Sequence, residues 1–315
     1  MRIFRFQQAL NFMRFKWPAL MLSALLVLGS LGLLAVKGIN WGLDFTGGTV
    51  IEAGFSQSAD LSQIRTVLAE SGYPDAVVQY FGSSQDVAIR IAPRDGLEQS
   101  RISNEILAAL AKTSDSQIEM RRIEFVGPSV GAELREQGGL AMLVALLGIL
   151  LYVGMRFEWR LSLGAVLALA HDVIITLGLF SLLQLEFDLT VLAAILALIG
   201  YSINDTIVVF DRIRESFRKL RDATPDETVN DAVTSTLNRT VVTSLTTIIV
   251  LIVLFTMGGA LIHNFATALL FGIAIGTYSS VFVASGIAVQ LGLNREDMLP
   301  PPPPEKEGEG TEPLL

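Results

Sequence analysis

Six long apolar stretches alternate with polar segments along the chain, and their lengths predict helices that cross a membrane. They cover residues 18–36, 138–155, 161–185, 189–210, 241–262 and 265–293. Each is close to or longer than the roughly 20 residues that a helix needs to span hydrocarbon. The only acidic or basic side chains within them are Asp172 and Asp205. The pattern therefore predicts an α-helical polytopic membrane protein.

The polar segment between the first two stretches, residues 37–137, has the periodicity of a folded domain. Runs with a period of two predict strands, and runs with a helical period predict helices, in the order β-α-β-β-α-β. The strands are expected at 49–55, 76–81, 87–91 and 117–126, and the helices at 60–71 and 99–111. This order is typical of an α+β ferredoxin-like sandwich. That fold hosts many unrelated activities and so says little about function. Because the segment shows no nucleophile–base pair and no cluster of metal ligands, we expect a binding or structural role for the domain.

Lysine and arginine are concentrated on one side of the predicted helices, which indicates their orientation. The N-terminal segment 1–17 and the loops after the second and fourth helices are basic, whereas the two short loops on the other side contain neither residue. Basic loops face the cytoplasm. Both termini are therefore predicted to be cytoplasmic, with 37–137 periplasmic. Residues 211–240 are then a cytoplasmic loop, and the proline-rich tail 294–315 is predicted to be disordered.

The composition of the chain excludes several classes of functional site. The chain has 315 residues, 17% of them charged, a net charge of −8, two histidines and no cysteine. Without cysteine there are no disulfides, no Cys-ligated zinc or iron–sulfur centres and no thiol catalysis. No G-x-x-x-x-G-K-[ST] segment and no basic patch with interleaved aromatic residues occurs, so ATP-driven catalysis and nucleic-acid binding are not expected. We expect neither a cofactor nor an enzyme activity.

The two aspartates inside the apolar stretches are the leading functional candidates, because ionisable groups at membrane depth are costly and mark ion or proton sites. Asp205 lies near the cytoplasmic end of the fourth stretch, with Asn204 beside it as a supporting residue. Arg239 is the nearest candidate cation, at the start of the fifth helix. Protonation of Asp205 would change its pairing with Arg239. Asp172, next to His171 in the third stretch, is a second candidate for the same proton relay.

Each of these residues also has a purely structural explanation. Asp205 and Asp172 can bridge helices, and Asn204 can serve as a helix-packing amide. Arg239 can be a basic residue whose head group reaches the membrane surface. These alternatives remain open on the residues alone.

Several segments resemble one known family. Gly42–Thr49 follows the first helix, His171–Val173 lies in the third, and Ile199–Glu215, with the sequence IGYSINDTIVVFDRIRE, ends the fourth. Together with Leu237–Thr240 they are similar to the SecF family, the smaller membrane subunits of bacterial SecD–SecF complexes. One helix, a large outer domain and five further helices also resemble a half-unit of the resistance-nodulation-division transporter superfamily.

The resemblance implies partners, a location and a mechanism. It implies a heterodimer with SecD in the bacterial cell inner membrane, acting with the SecYEG channel in late steps of preprotein export that the proton-motive force drives. YajC and YidC are further implied partners, beside the translocating preprotein and the proton itself. The family also assigns an essential proton-relay role to the residues that match Asp205 and Arg239.

The segment that joins the first helix to the outer domain is a candidate hinge. It contains Gly42, Asp44, Gly47 and Gly48, and glycines free the backbone at such a position. The alternative is that these glycines only permit a tight entry into the first strand.

Two other functions stay open. One is a half-unit of a proton-coupled small-molecule or lipid exporter of the same superfamily, which predicts a substrate cleft. The other is a structural assembly subunit without ion coupling, which would tolerate the loss of both aspartates.

Overall fold

The structure, a computed structural model, describes residues 8–93, 99–113 and 118–298. The first seven residues of the predicted N-terminal segment and residues 299–315 of the predicted tail lie outside this part. The α-helices are α1 (Lys16–Lys37), α2 (Leu43–Thr46), α3 (Leu61–Glu70), α4 (Gln99–Thr113), α5 (Pro128–Arg156), α6 (Trp159–Leu183), α7 (Leu189–Lys219), α8 (Pro225–Met257), α9 (Ala260–Tyr278) and α10 (Ser285–Gln290). The strands are β1 (Asn40–Trp41), β2 (Gly48–Phe55), β3 (Val77–Phe81), β4 (Ser83–Ile91), β5 (Ile118–Val126) and β6 (Glu186–Phe187). A π-helical turn, Ser279–Ala284, joins α9 to α10.

Six helical segments of the described chain are long and apolar enough to cross a membrane, and they contain α1, α5, α6, α7, α8 and the continuous α9–α10. The most apolar windows of α6, α7 and α9–α10 are 56%, 50% and 56% buried, so these helices form the centre of the bundle. The windows of α1, α5 and α8 are only 17%, 11% and 17% buried. The predicted polytopic helical fold is confirmed.

Strands β2 to β5 form the predicted sandwich with α3 and α4. The strands pair antiparallel in the order β3-β4-β2-β5, which is how a β-α-β-β-α-β chain is arranged in a ferredoxin-like fold. The two helices cover one face of the sheet, where Ile51, Leu68 and Ile106 are fully buried. Asp60 begins α3 by accepting hydrogen bonds from backbone N–H groups of the first turn, as expected of an N-cap.

A short joint fixes this domain to one end of the bundle. β1 pairs in parallel with β6, which lies between α6 and α7. α2 packs on α5, and Arg135 there donates a hydrogen bond to the Phe45 carbonyl at 2.7 Å. Arg90 of β4 donates to the Trp41 carbonyl and forms an ion pair with Glu186 of β6. We call this end of the bundle the domain end and the opposite end the far end.

At the far end, two helices extend well beyond the apolar stretches. Only residues 220–224 separate α7 from α8, in place of the predicted loop 211–240. Thr224 and Glu227 form a capping box with Pro225 in the first turn, which starts α8 four turns before its apolar part. Apolar length marks the part of a helix that is predicted to lie in lipid, whereas capping residues decide where the helix begins.

Two other segments have more ordered structure than predicted. Residues 128–137, assigned to the outer domain from their polarity, form the first turns of α5. At the other end of the chain, the predicted disordered tail begins with a 3₁₀ turn, Glu296–Met298. An ion pair between Arg160 and Asp297 holds this turn against α6.

Candidate functional site

Two hydroxyl groups surround the carboxylate of Asp205 on the buried face of α7. Thr240 of α8 donates to Oδ1 at 2.6 Å, and Ser280 of the π-helical turn donates to Oδ2 at 2.5 Å. Asp205 is 8% exposed, and both partners are buried. Because a hydroxyl can donate to a carboxylate or accept from a carboxylic acid, either protonation state of Asp205 can be hydrogen-bonded here.

The carboxylate of Asp172 on α6 is fully buried and has three polar neighbours. His171 Nδ1 lies 2.9 Å from Oδ1. Ser202 of α7 and Ser279 of the π-helical turn donate to Oδ2 at 2.6 and 2.7 Å. Ser202 lies three residues before Asp205 on the same helix, yet in the folded bundle it contacts Asp172. Asp172 is thus bonded at least as extensively as Asp205.

The π-helical turn connects the two aspartates, because Ser279 and Ser280 are neighbours in the chain. Each serine Oγ also lies 3.1 Å from a carbonyl of its own helix, that of Gly276 for Ser279 and that of Thr277 for Ser280. Each hydroxyl proton can therefore point either to a carboxylate or to the helix backbone. π-helical turns are frequent at functional sites, and this one directs consecutive hydroxyls to aspartates on two different helices.

Small residues allow the helices around the site to approach closely. A Cβ atom on Gly164 of α6 would lie 2.7 Å from the carbonyl oxygen of Ala284, the last residue of the π-helical turn. A Cβ atom on Gly276 would lie 3.5 Å from Asp172 Oδ2. The lack of a side chain at 164 therefore lets α6 contact the backbone of the turn that carries both serines.

Arg239 and Asn204 lie outside this arrangement. Both are exposed, and within the part of the chain that the structure describes, neither side chain makes a hydrogen bond or ion pair. Thr240 faces Asp205, and one residue turns an α-helix by about 100°, so Arg239 points away from the carboxylate. The structure therefore shows Asp205 paired with hydroxyls and not with Arg239.

The serines of the π-helical turn were not among the residues singled out from the sequence. Ser279 and Ser280 stand within an apolar stretch rich in glycine and alanine, where small polar residues are common for packing reasons alone. Two adjacent serines at membrane depth are a weak signal for a site. Their contacts depend on which helices face each other, which periodicity does not give.

The candidate hinge residues are closely packed at the joint. The N–H of Gly42 donates at 2.8 Å to a carbonyl of β6, and Asp44 accepts at 2.9 Å from the first N–H of α7. Gly47 and Gly48 have φ values of 68° and 119°. A Cβ atom on Gly48 would lie 2.3 Å from the carbonyl oxygen of Ile91. These glycines allow a tight entry into β2, and motion about them stays a prediction.

The ion pair between the domain and the bundle is only partly exposed to solvent. Burial raises the pKa of Glu186 above its usual value, and the neighbouring Arg90 opposes this shift without cancelling it. Glu52, on the sheet face toward the same joint, also has a raised pKa, again from burial and against the effect of Arg122. The contact between domain and bundle therefore includes carboxyl groups that are costly to ionise.

Carboxyl, hydroxyl and imidazole groups make up the buried site, and such groups bind and transfer protons. In the described part of the chain no three His, Asp or Glu side chains are grouped so that they could hold a metal ion. Asp172 and Asp205 lie inside long apolar helices, where an ionisable side chain is costly, so they are the leading candidates for a functional site.

Comparison with known proteins identifies the family. Residues 106–294 match the family described as "Protein export membrane protein SecD/SecF, C-terminal", and residues 32–59 match the "SecD/SecF GG Motif". The chain is 54% identical over 307 residues to the protein translocase subunit SecF of Vibrio alginolyticus, covering 98% of this chain and 97% of that protein. It belongs to the SecF family.

Other SecF relatives and solved structures agree with this family. The protein translocase subunit SecF of Escherichia coli O157:H7 is 47% identical, covering 92% of this chain and 90% of that one. The crystal structure of SecDF from Thermus thermophilus is similar with a TM-score of 0.83 and 38% identity over 91% of this chain. The SecF-family chain spans 39% of that SecDF chain. All candidate site residues, Asp172, Asn204, Asp205 and Arg239, lie within the segment matched by the SecD/SecF C-terminal family, and the hinge candidates lie within the GG motif.

Proposed function

We propose that this SecF-family chain works with a SecD partner as an accessory subunit of the Sec translocase, and that it uses the proton-motive force in late steps of preprotein export. The observation that carries the proposal is the buried Asp205, bonded only to hydroxyls among the described residues, within a helix long enough to cross a membrane. An uncompensated carboxylate there is costly, so binding of a proton changes the energy of the site strongly.

Proton binding at Asp205 would reorganise its two hydroxyl partners. With the carboxylate ionised, Thr240 and Ser280 both donate to it. When a proton binds, one of these hydroxyls must turn to accept it or to donate elsewhere, and Ser280 has the Thr277 carbonyl available at 3.1 Å. Each charge that crosses the full membrane potential is worth about 2.3 kcal/mol per 100 mV, enough to bias a two-state movement of packed helices.

Arg239 enters the mechanism in a second arrangement of α8. It is the residue before Thr240, so a rotation of α8 by about 100° exchanges the hydroxyl for the guanidinium next to Asp205. Arg239 then stabilises the ionised carboxylate, and protonation releases it again. Asn204 is exposed beside Asp205. Its amide would support the proton path on the side of the bundle that faces the SecD partner.

The orientation proposed for the chain follows from its basic residues. The far end of the bundle carries Arg156, Arg212 and Arg214, whereas the two short helix connections at the domain end, 184–188 and 258–259, contain neither lysine nor arginine. Basic loops face the cytoplasm. The far end with both termini is then cytoplasmic, the membrane is the bacterial inner membrane, and the ferredoxin-like domain is periplasmic.

The outer helices provide the surface for the partners. α1, α5 and α8 leave most of their apolar windows exposed, and the similar SecDF chain is more than twice as long as the part matched here. SecD would supply the second half of the membrane unit, next to the SecYEG channel, with YajC and YidC as further partners. The emerging preprotein would meet the periplasmic domain, which turns about Gly42, Asp44, Gly47 and Gly48 as the helices rearrange.

The test compares Asp205→Asn with Asp211→Asn, a control on the same helix whose exposed carboxylate pairs with Arg156. Both variants are expressed with SecD in cells that lack their own SecD and SecF, and inverted membrane vesicles are assayed for complete preprotein uptake with and without a proton gradient. We expect Asp205→Asn to lose the proton-dependent late step while its assembly with SecD is retained. The control should behave as the wild type.

Full late-step activity of Asp205→Asn would refute the proton-relay role and favour a structural assembly subunit. An exporter of small molecules or lipids would instead show a proton-dependent accumulation of an apolar or lipid substrate in these inverted vesicles, with preprotein uptake unaffected by either variant. The names of the matched relatives favour the translocase over the exporter.

A further inference from the structure

The imidazole of His171 is buried beside Asp172, and the proposed relay through Asp205 does not use it. His171 is 5% exposed, with Nδ1 at 2.9 Å from Asp172 Oδ1. Its Nε2 atom is buried and has no hydrogen-bond partner in the described part of the chain. The ring packs at 6.3 Å against that of Tyr278, the residue before the π-helical turn. An imidazole in this position is a titratable group with one fixed and one free nitrogen.

The charge of this site depends on a single proton. All three partners of Asp172 can donate, so the carboxylate is satisfied when ionised. A neutral imidazole would then leave one negative charge inside the bundle, where isolated charges are strongly disfavoured. One added proton makes the pair neutral overall, either as imidazolium and carboxylate or as imidazole and carboxylic acid.

We propose that His171 and Asp172 form a second buried proton-binding site, coupled to Asp205 through the adjacent hydroxyls of Ser279 and Ser280. The proposal rests on the proton coupling proposed above for Asp205. Asp172 holds the carboxyl end of the site, and His171 holds the exchangeable proton on Nδ1, which faces Asp172 Oδ1.

The proton step is a transfer within the pair. The proton on Nδ1 of the imidazolium moves to Asp172 Oδ1, which leaves a neutral imidazole and a carboxylic acid. The carboxyl then needs fewer donors, and the Ser279 hydroxyl turns to the Gly276 carbonyl at 3.1 Å. Since Ser280 is the next residue in the same turn and bonds to Asp205, the state of one carboxyl affects the geometry of the other.

Few polar or charged groups of the described residues face the pair. Tyr278 lies beside the imidazole, and its hydroxyl donates to the Ala19 carbonyl of α1 at 2.7 Å. Asp205 is connected to the pair through the hydroxyls of Ser280 and Ser279. In the described residues no lysine or arginine forms an ion pair with Asp172, whose salt-bridge partner is His171. The proton on this pair is therefore governed by Asp205 and the surrounding hydroxyls.

Because the whole chain contains only two histidines, the protonation of the His171 imidazole can be measured directly. The full chain carrying His263→Asn is labelled with ¹⁵N-histidine, placed in lipid nanodiscs and titrated by NMR, so that every imidazole signal comes from His171. We expect a titration whose midpoint shifts when Asp205→Asn is added. That shift should vanish when Ser279→Ala and Ser280→Ala are also present, because the connecting hydroxyls are removed. One unchanging tautomer between pH 5 and 9, or a midpoint indifferent to Asp205→Asn, would overturn the inference.

Transport measurements in the complex with SecD separate this inference from the proposed function. His171→Asn keeps an amide donor for Asp172 but cannot carry the extra proton, and His263→Asn is the matched control. Positioned proton-transfer groups contribute about 10²- to 10⁴-fold, so we expect the proton-dependent export rate of His171→Asn to fall by about tenfold or more. If Asp205→Asn is inactive while His171→Asn is fully active, the second site is wrong and the proposed function stands. If Asp205→Asn is active, the proposed function fails.

Discussion

Replacing Gly164 by alanine tests whether the close contact between α6 and the π-helical turn organises the site. The new Cβ atom would lie 2.7 Å from the carbonyl oxygen of Ala284, a backbone atom that cannot rotate away as a side chain could. An ordinary contact lies near 3.5 Å, so the turn must retreat by roughly 0.8 Å. That movement is expected to disturb the bonds from Ser279 to Asp172 and from Ser280 to Asp205.

Two opposing contributions determine how much Gly164→Ala changes the free energy of unfolding. Overpacking a close helix contact costs about 1–3 kcal/mol. Alanine is favoured over glycine in a helix by about 1 kcal/mol. We therefore expect the free energy of unfolding to fall by about 1 kcal/mol, which corresponds to a decrease of roughly 2–4 °C in the unfolding temperature of a chain of this size.

Gly200→Ala is the matched control, because a Cβ atom there meets nothing within 4 Å. Gly200 lies on the central helix α7. Alanine there has the higher helix propensity and collides with nothing, so Gly200→Ala should raise the unfolding temperature. Thermal unfolding in detergent, followed by tryptophan fluorescence, gives both values. Gly164→Ala should also reduce proton-dependent export with SecD, whereas Gly200→Ala should not. A Gly164→Ala variant as stable and as active as the control would refute the packing argument.

Two further predictions concern the joint between domain and bundle. Burial raises the pKa of Glu186 in the folded state above its ordinary value. The contribution of this group to the free energy of unfolding is therefore fully present below the ordinary pKa and is lost as the pH rises through the folded pKa. As the pH rises above the ordinary pKa of a glutamate, the unfolding temperature of the wild type should therefore fall more than that of Glu186→Gln, and equal slopes would contradict this. Gly48→Ala should destabilise the chain by about 2 kcal/mol or more, since its φ is 119° and Ile91 O would lie 2.3 Å from the new Cβ. Gly38→Ala, with φ 69° and open space around it, should cost only about 1 kcal/mol in the same thermal assay.

Much of the architecture could be predicted because it depends on local periodicity. Apolar stretches of about 20 residues have few alternatives to a spanning helix, since lipid leaves no other partner for backbone groups. The alternation in 37–137 likewise predicts the order of strands and helices that the sandwich shows. Helix ends were predicted less well, because Thr224 and Glu227 start α8 by capping chemistry in a polar segment.

The contacts of the candidate site could be predicted only in part. The two aspartates are recognisable because a carboxyl in an apolar stretch is costly wherever the helix packs. Their partners are not, since Arg239 and Thr240 are adjacent in the chain and only the rotation of α8 decides which of them faces Asp205. The same holds for Ser202, which lies three residues before Asp205 in α7 and donates instead to Asp172 of α6.

The sequence by itself determined that this is a six-helix membrane protein with a ferredoxin-like domain between the first two of these helices and with two carboxyl groups inside apolar helices. Hydrophobic length and period are properties of single segments, so no knowledge of neighbours is needed. Only the tertiary structure decided that Ser279 and Ser280 join the two carboxyls. That link depends on a π-helical turn and on glycine-mediated contact between helices far apart in the chain, and both are set by packing between segments.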